Sequence, residues 1–250
     1  MVDGRRSSGV ATFFCDTPMQ PGETAELGQS EAHHVRVRRL APGTRVRLID
    51  GAGSVALGTL AKGTKAGATV HIEEVAHVSP PPPVHLLAPV ADRDRMLWLA
   101  EKATELGLTS WCAVMWRRSQ GVAPRGEGDS FHAKLRARMN AALTQSGGAW
   151  LPTILPDISG DDVVKAAAPG VHFLLDAAGE PMLSLPIATP LTLAVGPEGG
   201  LEDDERERLA LAGWMPVSLG GTTLRFETAG IAALAIARAT FAANVESARG

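Results

Sequence analysis

Only two cysteines occur among the 250 residues, Cys15 and Cys112. They lie far apart, in no shared motif and with no flanking histidine, which excludes a disulfide framework and predicts two buried thiols in a reducing cytosol. No uncharged apolar run approaches the ~18 residues of a membrane span. The opening MVDGRRSSGV lacks the apolar centre of a signal peptide, so a cytoplasmic chain is expected. The familiar catalytic signatures are missing too: no GxGxxG follows a strand, and GxxxxGK[ST], GxSxG and HExxH are absent. Of seven histidines only His33 and His34 are adjacent. On a strand, neighbours point to opposite faces, so no metal site is expected. A net charge of −3 does not mark a nucleic-acid binder, although an average conceals local patches.

What is present is enough apolar residue for a core, 45% of the chain, divided by one conspicuous boundary. SPPPPV (Ser79–Val84) forces an extended spacer that neither a helix nor a central strand absorbs. Two domains are expected, residues 1–78 and 79–250. Before the prolines, TRVRLID (Thr44–Asp50) alternates, with Val46 and Leu48 on one face and Arg45 and Arg47 on the other. DGAG (Asp50–Gly53) is a turn, and SVALGTL and ATVHIEEV read as further strands, which together suggest a small β-barrel. After the prolines, strands and helices alternate. VHLLAP, SWCAVMW, VHFLLD, LTLAV and PVSLG read as strands. DRDRMLWLAEKATELG (Asp92–Gly107), SFHAKLRARMNAALTQ (Ser130–Gln145), EDDERERLALAG (Glu202–Gly213) and FETAGIAALAIARATFAA (Phe226–Ala243) read as helices. Asp92 and Ser130 are N-cap residues, and Gly107 is a stop. The pattern predicts an α/β fold, a mostly parallel sheet with helices on both faces, whose ligands bind beyond the carboxyl ends of the strands.

Three loops meet that description: DAAGEP (Asp176–Pro181), GPEGG (Gly196–Gly200) and LGGTTLRFETAG (Leu219–Gly230). GPEGG resembles a phosphate cradle but is followed by EDDE (Glu202–Glu205). Carboxylates in a first helical turn favour the helix dipole, and the same carboxylates repel a phosphate there. The loop therefore suits hydroxyls, a purine edge or positive charge. Arginines form the second feature. HHVRVRRLAPGTRVR (His33–Arg47) holds five arginines and no acid, and read as strands it pairs Arg36 with Arg38 and Arg45 with Arg47 on shared faces. Such a surface either tracks phosphates or is simply solvated. WRRS (Trp116–Ser119) adds Arg117 and Arg118 beside a tryptophan that either stacks on a ligand or packs. Arg225, between apolar Leu224 and Phe226 in a ligand loop, is a catalytic or orienting candidate.

KATELGL (Lys102–Leu108), RRS (Arg117–Ser119), QS (Gln145–Ser146) with LP (Leu151–Pro152), GPEGG and SLGGTTLRFETA (Ser218–Ala229) occur in the order and spacing of a known family. With HHVRVRRL and DGAG they make the chain resemble, over nearly its whole length, the bacterial 16S ribosomal RNA uridine N3-methyltransferases, a branch of the SPOUT methyltransferases. The resemblance implies a PUA-like β-barrel that binds RNA, followed by a SPOUT α/β domain with a deep trefoil knot. It also implies S-adenosylmethionine as methyl donor, and a homodimer acting on small-subunit rRNA within the 30S subunit. Leu175, Asp176, Gly196, Pro197, Glu198, Gly199, Gly200, Ser218, Leu219, Gly220, Leu224, Arg225 and Thr228 would hold the donor. Arg36, Arg38, Arg39, Arg45, Arg47, Arg117, Arg118 and Gln145 would contact RNA. Arg225 is the expected catalytic residue. Glu198 stays open between base, ribose ligand and turn former, and Glu227 is the other carboxylate in these loops. Where relatives carry an arginine soon after the QS pair, this chain has Gly147, Gly148 and Ala149. Two alternatives stand beside this reading: a SPOUT methyltransferase acting on tRNA or a ribose hydroxyl, and a ribosome assembly factor that binds RNA without catalysis.

Overall fold

A computed structural model describes residues 10–63, 67–119 and 125–247. They fall into two compact units, Met1–Pro80 with Asn140–Leu151, and Pro81–Met139 with Pro152–Gly250.

In the first unit, β1 (Ala11–Phe14), β2 (Thr24–Leu27), β3 (Arg45–Ile49), β4 (Ser54–Gly63) and β5 (Ala68–His77) form one sheet in the order β1-β3-β4-β5-β2. β1 runs parallel to β3, and the remaining pairs are antiparallel. The sheet curls around a core drawn from every strand, including Phe13, Leu27, Leu48, Leu60 and Ile72. The predicted DGAG turn is held by Asp50, whose Oδ1 accepts from the amides of Ala52 at 2.7 Å and Ser54 at 2.9 Å. Gly51 and Gly53 both take positive φ there, +74° and +97°.

Two readings from periodicity are corrected here. HHVRV is not a strand; it lies in helix α1 (Gln29–Val37). The buried positions are Ala32 and Val35, three apart, while Val37 is 64% exposed. Alternating valine and arginine thus concealed a helical repeat, and Arg36 and Arg38 do not share a strand face. The second correction concerns β3. Its expected solvated face carries Ile49, which packs with Leu143, Ala149, Trp150 and Leu151. Arg47, on the same side, is 5% exposed, and both its terminal nitrogens lack a hydrogen-bond partner.

The second unit contains β6 (Val84–Pro89), β7 (Ser110–Met115), β8 (Thr153–Ile154), β9 (Ile158–Ser159), β10 (Val171–Pro181), β11 (Leu191–Val195) and β12 (Met215–Ser218). All pairings are parallel, in the order β12-β10-β11-β6-β7-β8, with β9 also on β7. The helices are α2 (Arg93–Glu105), α3 (Asp129–Ser146), of which the part from Asn140 on belongs to the first unit, the short α4 (Val163–Ala166), α5 (Asp203–Leu211) and α6 (Phe226–Ser247). Asp92 caps α2 as predicted, accepting from the amide of Arg95 at 3.0 Å, whereas α3 begins at Asp129, so Ser130 lies inside it and is not its cap. Met96, Leu99, Ala100 and Ala103 are fully buried along its apolar stripe. The far end of α2 is closed by Arg238 of α6, which donates to the carbonyls of Leu106 and Gly107. Burial pushes that guanidinium down to about 10.

On one face of the sheet, Leu87, Cys112, Leu174 and Ala194 pack with Leu209 of α5 and with Trp214. On the other, α6 packs on α2, β6, β10 and β11. Gly230 permits the close approach of the two helices, because a Cβ there would stand 3.0 Å from Leu99 Cδ1. α6 is long and apolar enough to cross a membrane by composition; one side of it is buried against α2, β6, β10 and β11. The expected loop DAAGEP is a further difference. It belongs to β10, whose pairing with β12 breaks between Leu175 and Glu180, so that Asp176–Gly179 leave the ladder.

Candidate active site

β10, β11 and β12 are neighbours, so the loops at their carboxyl ends converge at one edge of the sheet. They enclose an open cleft of about 430 Å³. Leu175, Asp176, Gly196, Pro197, Glu198, Gly200, Leu219, Gly220, Leu224 and Arg225 line it, as the sequence led one to expect. Gly199, Ser218 and Thr228 do not. The Gly199 carbonyl accepts from Arg118 instead, Ser218 pairs with Pro181 in the sheet, and Thr228 is exposed on α6. Leu174, Val195, Val217, Phe226 and Ala229 add apolar wall that no loop motif announced.

The GPEGG turn is closed by the Gly200 amide donating to the Pro197 carbonyl at 2.8 Å. Gly200 has φ +71°, a conformation that side chains disfavour. The turn is held from behind by RRS and EDDE acting together. Trp116 is fully buried and donates from Nε1 to the Val195 carbonyl at 3.0 Å, so it packs rather than stacks on a ligand. Glu205, 2% exposed, accepts from the backbone amides of Arg117 at 3.1 Å and Glu202 at 2.8 Å. Arg118 grips the Glu202 carboxylate at 2.9 and 3.0 Å and the Gly199 carbonyl at 2.7 Å. Arg117 pairs with Asp204 at 2.6 Å. Arg117 and Arg118 are therefore committed to the loop's scaffold. The account of EDDE changes with them. Its carboxylates do not line the cleft; Glu205 caps α5 from within, and Glu202 and Asp204 are neutralised by arginines. A phosphate is disfavoured because the capping box already uses the amides of Glu202 and of the third helical residue.

Arg95, at the start of α2, joins two loops that the sequence left separate. Its Nε and Nη2 donate to Glu227 at 3.0 and 2.6 Å, and Nη1 pairs with Glu198. Its guanidinium lies 4.6 Å from the Phe226 ring centroid. Hydrogen bonding to Glu227, which is 6% exposed, raises the Arg95 pKa above its ordinary value against the cost of burial, with Glu198 adding to it. Glu198 thus enters the cleft already tied to a cation. Arg225 is exposed at the cleft, and no described carboxylate pairs with it. On the other side, Arg206 of α5 lines the cleft and pairs with Asp176. Sequence reading missed Arg206; its signal is the first base after the acidic run Glu202–Glu205.

In the first unit, Arg36, Arg38, Arg39 and Arg45 are exposed, whereas Arg47 is not. Arg39 holds φ +53°, ending the turn after α1. Gln145 is exposed in the last turn of α3. Cys15 and Cys112 are buried, and burial, with Asp157 nearby, pushes the Cys112 thiol up to about 12.

A curled strand domain of this kind, followed by a parallel α/β sheet with three loops at one edge, defines a two-domain RNA methyltransferase. The chain belongs to that family: residues 79–238 match the RNA methyltransferase domain, and residues 27–73 match the RNA methyltransferase PUA domain. It is 31% identical over 234 residues to ribosomal RNA small subunit methyltransferase E of Mycobacterium bovis, covering 89% of this chain and 88% of the relative. The namesake from Synechocystis is 30% identical over 85% of this chain and 72% of its own length. Among solved structures, a putative methyltransferase of Legionella pneumophila in complex with bound S-adenosylmethionine superposes with TM-score 0.82 at 25% identity, covering 92% of this chain and 98% of that one. The Neisseria gonorrhoeae methyltransferase E shares the fold, with TM-score 0.83 at 24% identity over 92% and 98% of the two chains.

Proposed function

We propose that this protein transfers a methyl group from S-adenosylmethionine to N3 of a uridine in small-subunit ribosomal RNA. The observation that carries the reading is the convergence of three loops on one cleft, with Arg225 at its wall free of any described carboxylate partner. The residues fit the donor. About 430 Å³ lies within the range of small-molecule sites, ~300–1,000 Å³. Glycine backbones at Gly196, Gly200 and Gly220 approach closely, and Leu175, Leu219 and Leu224 supply apolar faces for a purine. When bound, the donor supplies an electrophilic methyl on a sulfonium. N3 of uracil carries a proton; its loss to water in the open cleft places negative charge on the uracil oxygens, and attack of N3 on the methyl breaks the sulfonium carbon–sulfur bond and leaves S-adenosylhomocysteine. Arg225, at the cleft wall, is the group placed to stabilise that charge. Glu198, engaged by Arg95, holds the GPEGG loop to the start of α6 and thereby fixes where Arg225 emerges. Positioning of two bound reactants supplies much of the acceleration, and a stacked target base must be turned out to reach the cleft.

Residues 1–78 serve in this reading as the RNA-binding domain and 79–250 as the transferase. The exposed Arg36, Arg38, Arg39 and Arg45 track phosphates, and Gln145 touches the RNA. The loops of the second domain are threaded as a trefoil knot. A homodimer within the cytoplasm, acting on the 30S subunit, completes the proposal; its support is the face of α6 turned away from the sheet, where Ala235, Ala239 and Ala242 are exposed. The test is Arg225→Ala. Single-turnover methylation of small subunits, read as N3-methyluridine by nucleoside mass spectrometry, should fall by at least ~100-fold, the loss typical when one charge-stabilising group is removed. Donor affinity by calorimetry should change far less. A near-normal single-turnover rate sinks the assignment.

A further inference from the structure

Two groups of charge border the cleft. In one, Glu198 and Arg225 line it, with the Arg95–Glu227 pair behind Glu198. The other belongs to β10 and α5, and consists of the Asp176–Arg206 ion pair. Asp176 sits where β10 leaves its ladder. Its side chain is 14% exposed, and its second oxygen accepts from the Ala178 amide at 3.0 Å, which orients the carboxylate. Arg206 is rooted by its Nε, which donates to the Leu201 carbonyl at 3.4 Å, and it is 41% exposed. Both residues line the cleft. The arginine end of this pair stays open to solvent while the carboxylate is largely covered, so the pair is reachable from the cleft that both residues line.

Resting on the donor reading above, we infer that Asp176 and Arg206 are the subsite for the amino-acid head of the donor, Asp176 for its α-ammonium and Arg206 for its α-carboxylate. The charge count favours this. An α-amino-acid head is itself a cation and an anion a few bonds apart. Entering between Asp176 and Arg206, it replaces each member of the pair by a like charge, so neither protein charge is left desolvated without a partner. The planar guanidinium offers the forked donors that a carboxylate accepts. At the other end, Glu198 already shares its charge with Arg95, whose remaining bonds go to Glu227, which makes it the poorer partner for an ammonium. The adenosine portion is left to the apolar and glycine walls between the two ends. The arrangement makes Arg206 a specificity-determining residue for the donor, acting at binding.

The test compares S-adenosylmethionine and S-adenosylhomocysteine, which carry the head, with 5′-methylthioadenosine, which lacks it, by calorimetry on the full chain. Arg206→Met should weaken the first two at least ~10-fold, the worth of one charge-assisted hydrogen bond, and leave 5′-methylthioadenosine unchanged. Asp176→Asn should show the same selectivity, and Arg206→Lys should restore part of the loss. Equal weakening of all three ligands, or none, overturns the subsite; so does an Asp176→Asn variant that weakens 5′-methylthioadenosine as strongly. Should the variants fold poorly, the unaltered protein still decides, because it must prefer S-adenosylhomocysteine over 5′-methylthioadenosine by ~10-fold or more on the same reasoning. Binding of all three without that preference overturns the subsite alone, whereas failure of all three to bind overturns the donor reading with it.

Discussion

Glu205 is the hinge of the loop scaffold, and its removal has a calculable cost. The side chain is 2% exposed, one oxygen takes the Arg117 amide at 3.1 Å, and the other takes the Glu202 amide at 2.8 Å. Glu205→Ala leaves two backbone donors without acceptors. A buried unsatisfied donor costs about 1–3 kcal/mol. Both amides are only partly buried, so water recovers some of that, and the expected loss is about 2–4 kcal/mol in total. Glu205→Gln separates hydrogen bonding from packing. The amide keeps one acceptor oxygen but turns an NH2 toward the second backbone N–H, so about 1–3 kcal/mol should go with shape preserved. Urea unfolding of both variants gives the numbers, and donor calorimetry gives the functional readout, because Glu205 holds RRS and EDDE together behind GPEGG. Affinity for S-adenosylmethionine should fall in both. A Glu205→Gln protein as stable as the parent, or a Glu205→Ala loss under about 1 kcal/mol, would refute the claim that these two amides depend on this carboxylate.

Two further outcomes follow from buried and paired charge. Arg47 is 5% exposed with both terminal nitrogens unpartnered, and burial lowers its pKa; Arg47→Met should therefore leave the melting temperature unchanged or higher, and a clear drop would show that the guanidinium is stabilising where it lies. The hydrogen bond from Arg118 holds the Glu202 carboxyl below its ordinary value of 4.5. A carboxyl with a depressed folded pKa stabilises fully above its unfolded value and loses that contribution as pH falls through the lower, folded one. Melting temperatures taken through the acid range should decline below about pH 4.5, and Arg118→Met should show a shallower decline; identical slopes would separate this pair from acid stability.

Much of the fold was legible because local chemistry and tertiary structure agree. Asp92 caps α2, Gly107 ends it, and Leu191–Val195 is a fully buried parallel strand, each for reasons contained within a few residues. The motif GPEGG and the loop around Arg225 also carried their meaning in sequence, since a glycine turn after a buried strand has few uses other than close approach. Period alone failed at His33–Val37, where valine and arginine alternate as in a strand but the buried residues repeat every third position.

What only the tertiary structure decided concerns partners remote in sequence. Arg47 looked solvated until Leu143–Leu151 was seen to cover the side of β3 that carries Ile49, a segment about a hundred residues away. Arg117 and Arg118, read from sequence only as RNA contacts, also brace the loop through Asp204, Glu202 and the Gly199 carbonyl. Arg95 and Arg206 had no motif at all; one meets Glu227 and Glu198, the other Asp176, because strand order places β10, β11 and β12 side by side. Residue types determined which loops could hold a ligand. Which charges remain free to meet it was fixed by pairings across the sheet edge, and Coulombic partners, unlike turns and caps, are set by distance in space rather than by distance along the chain.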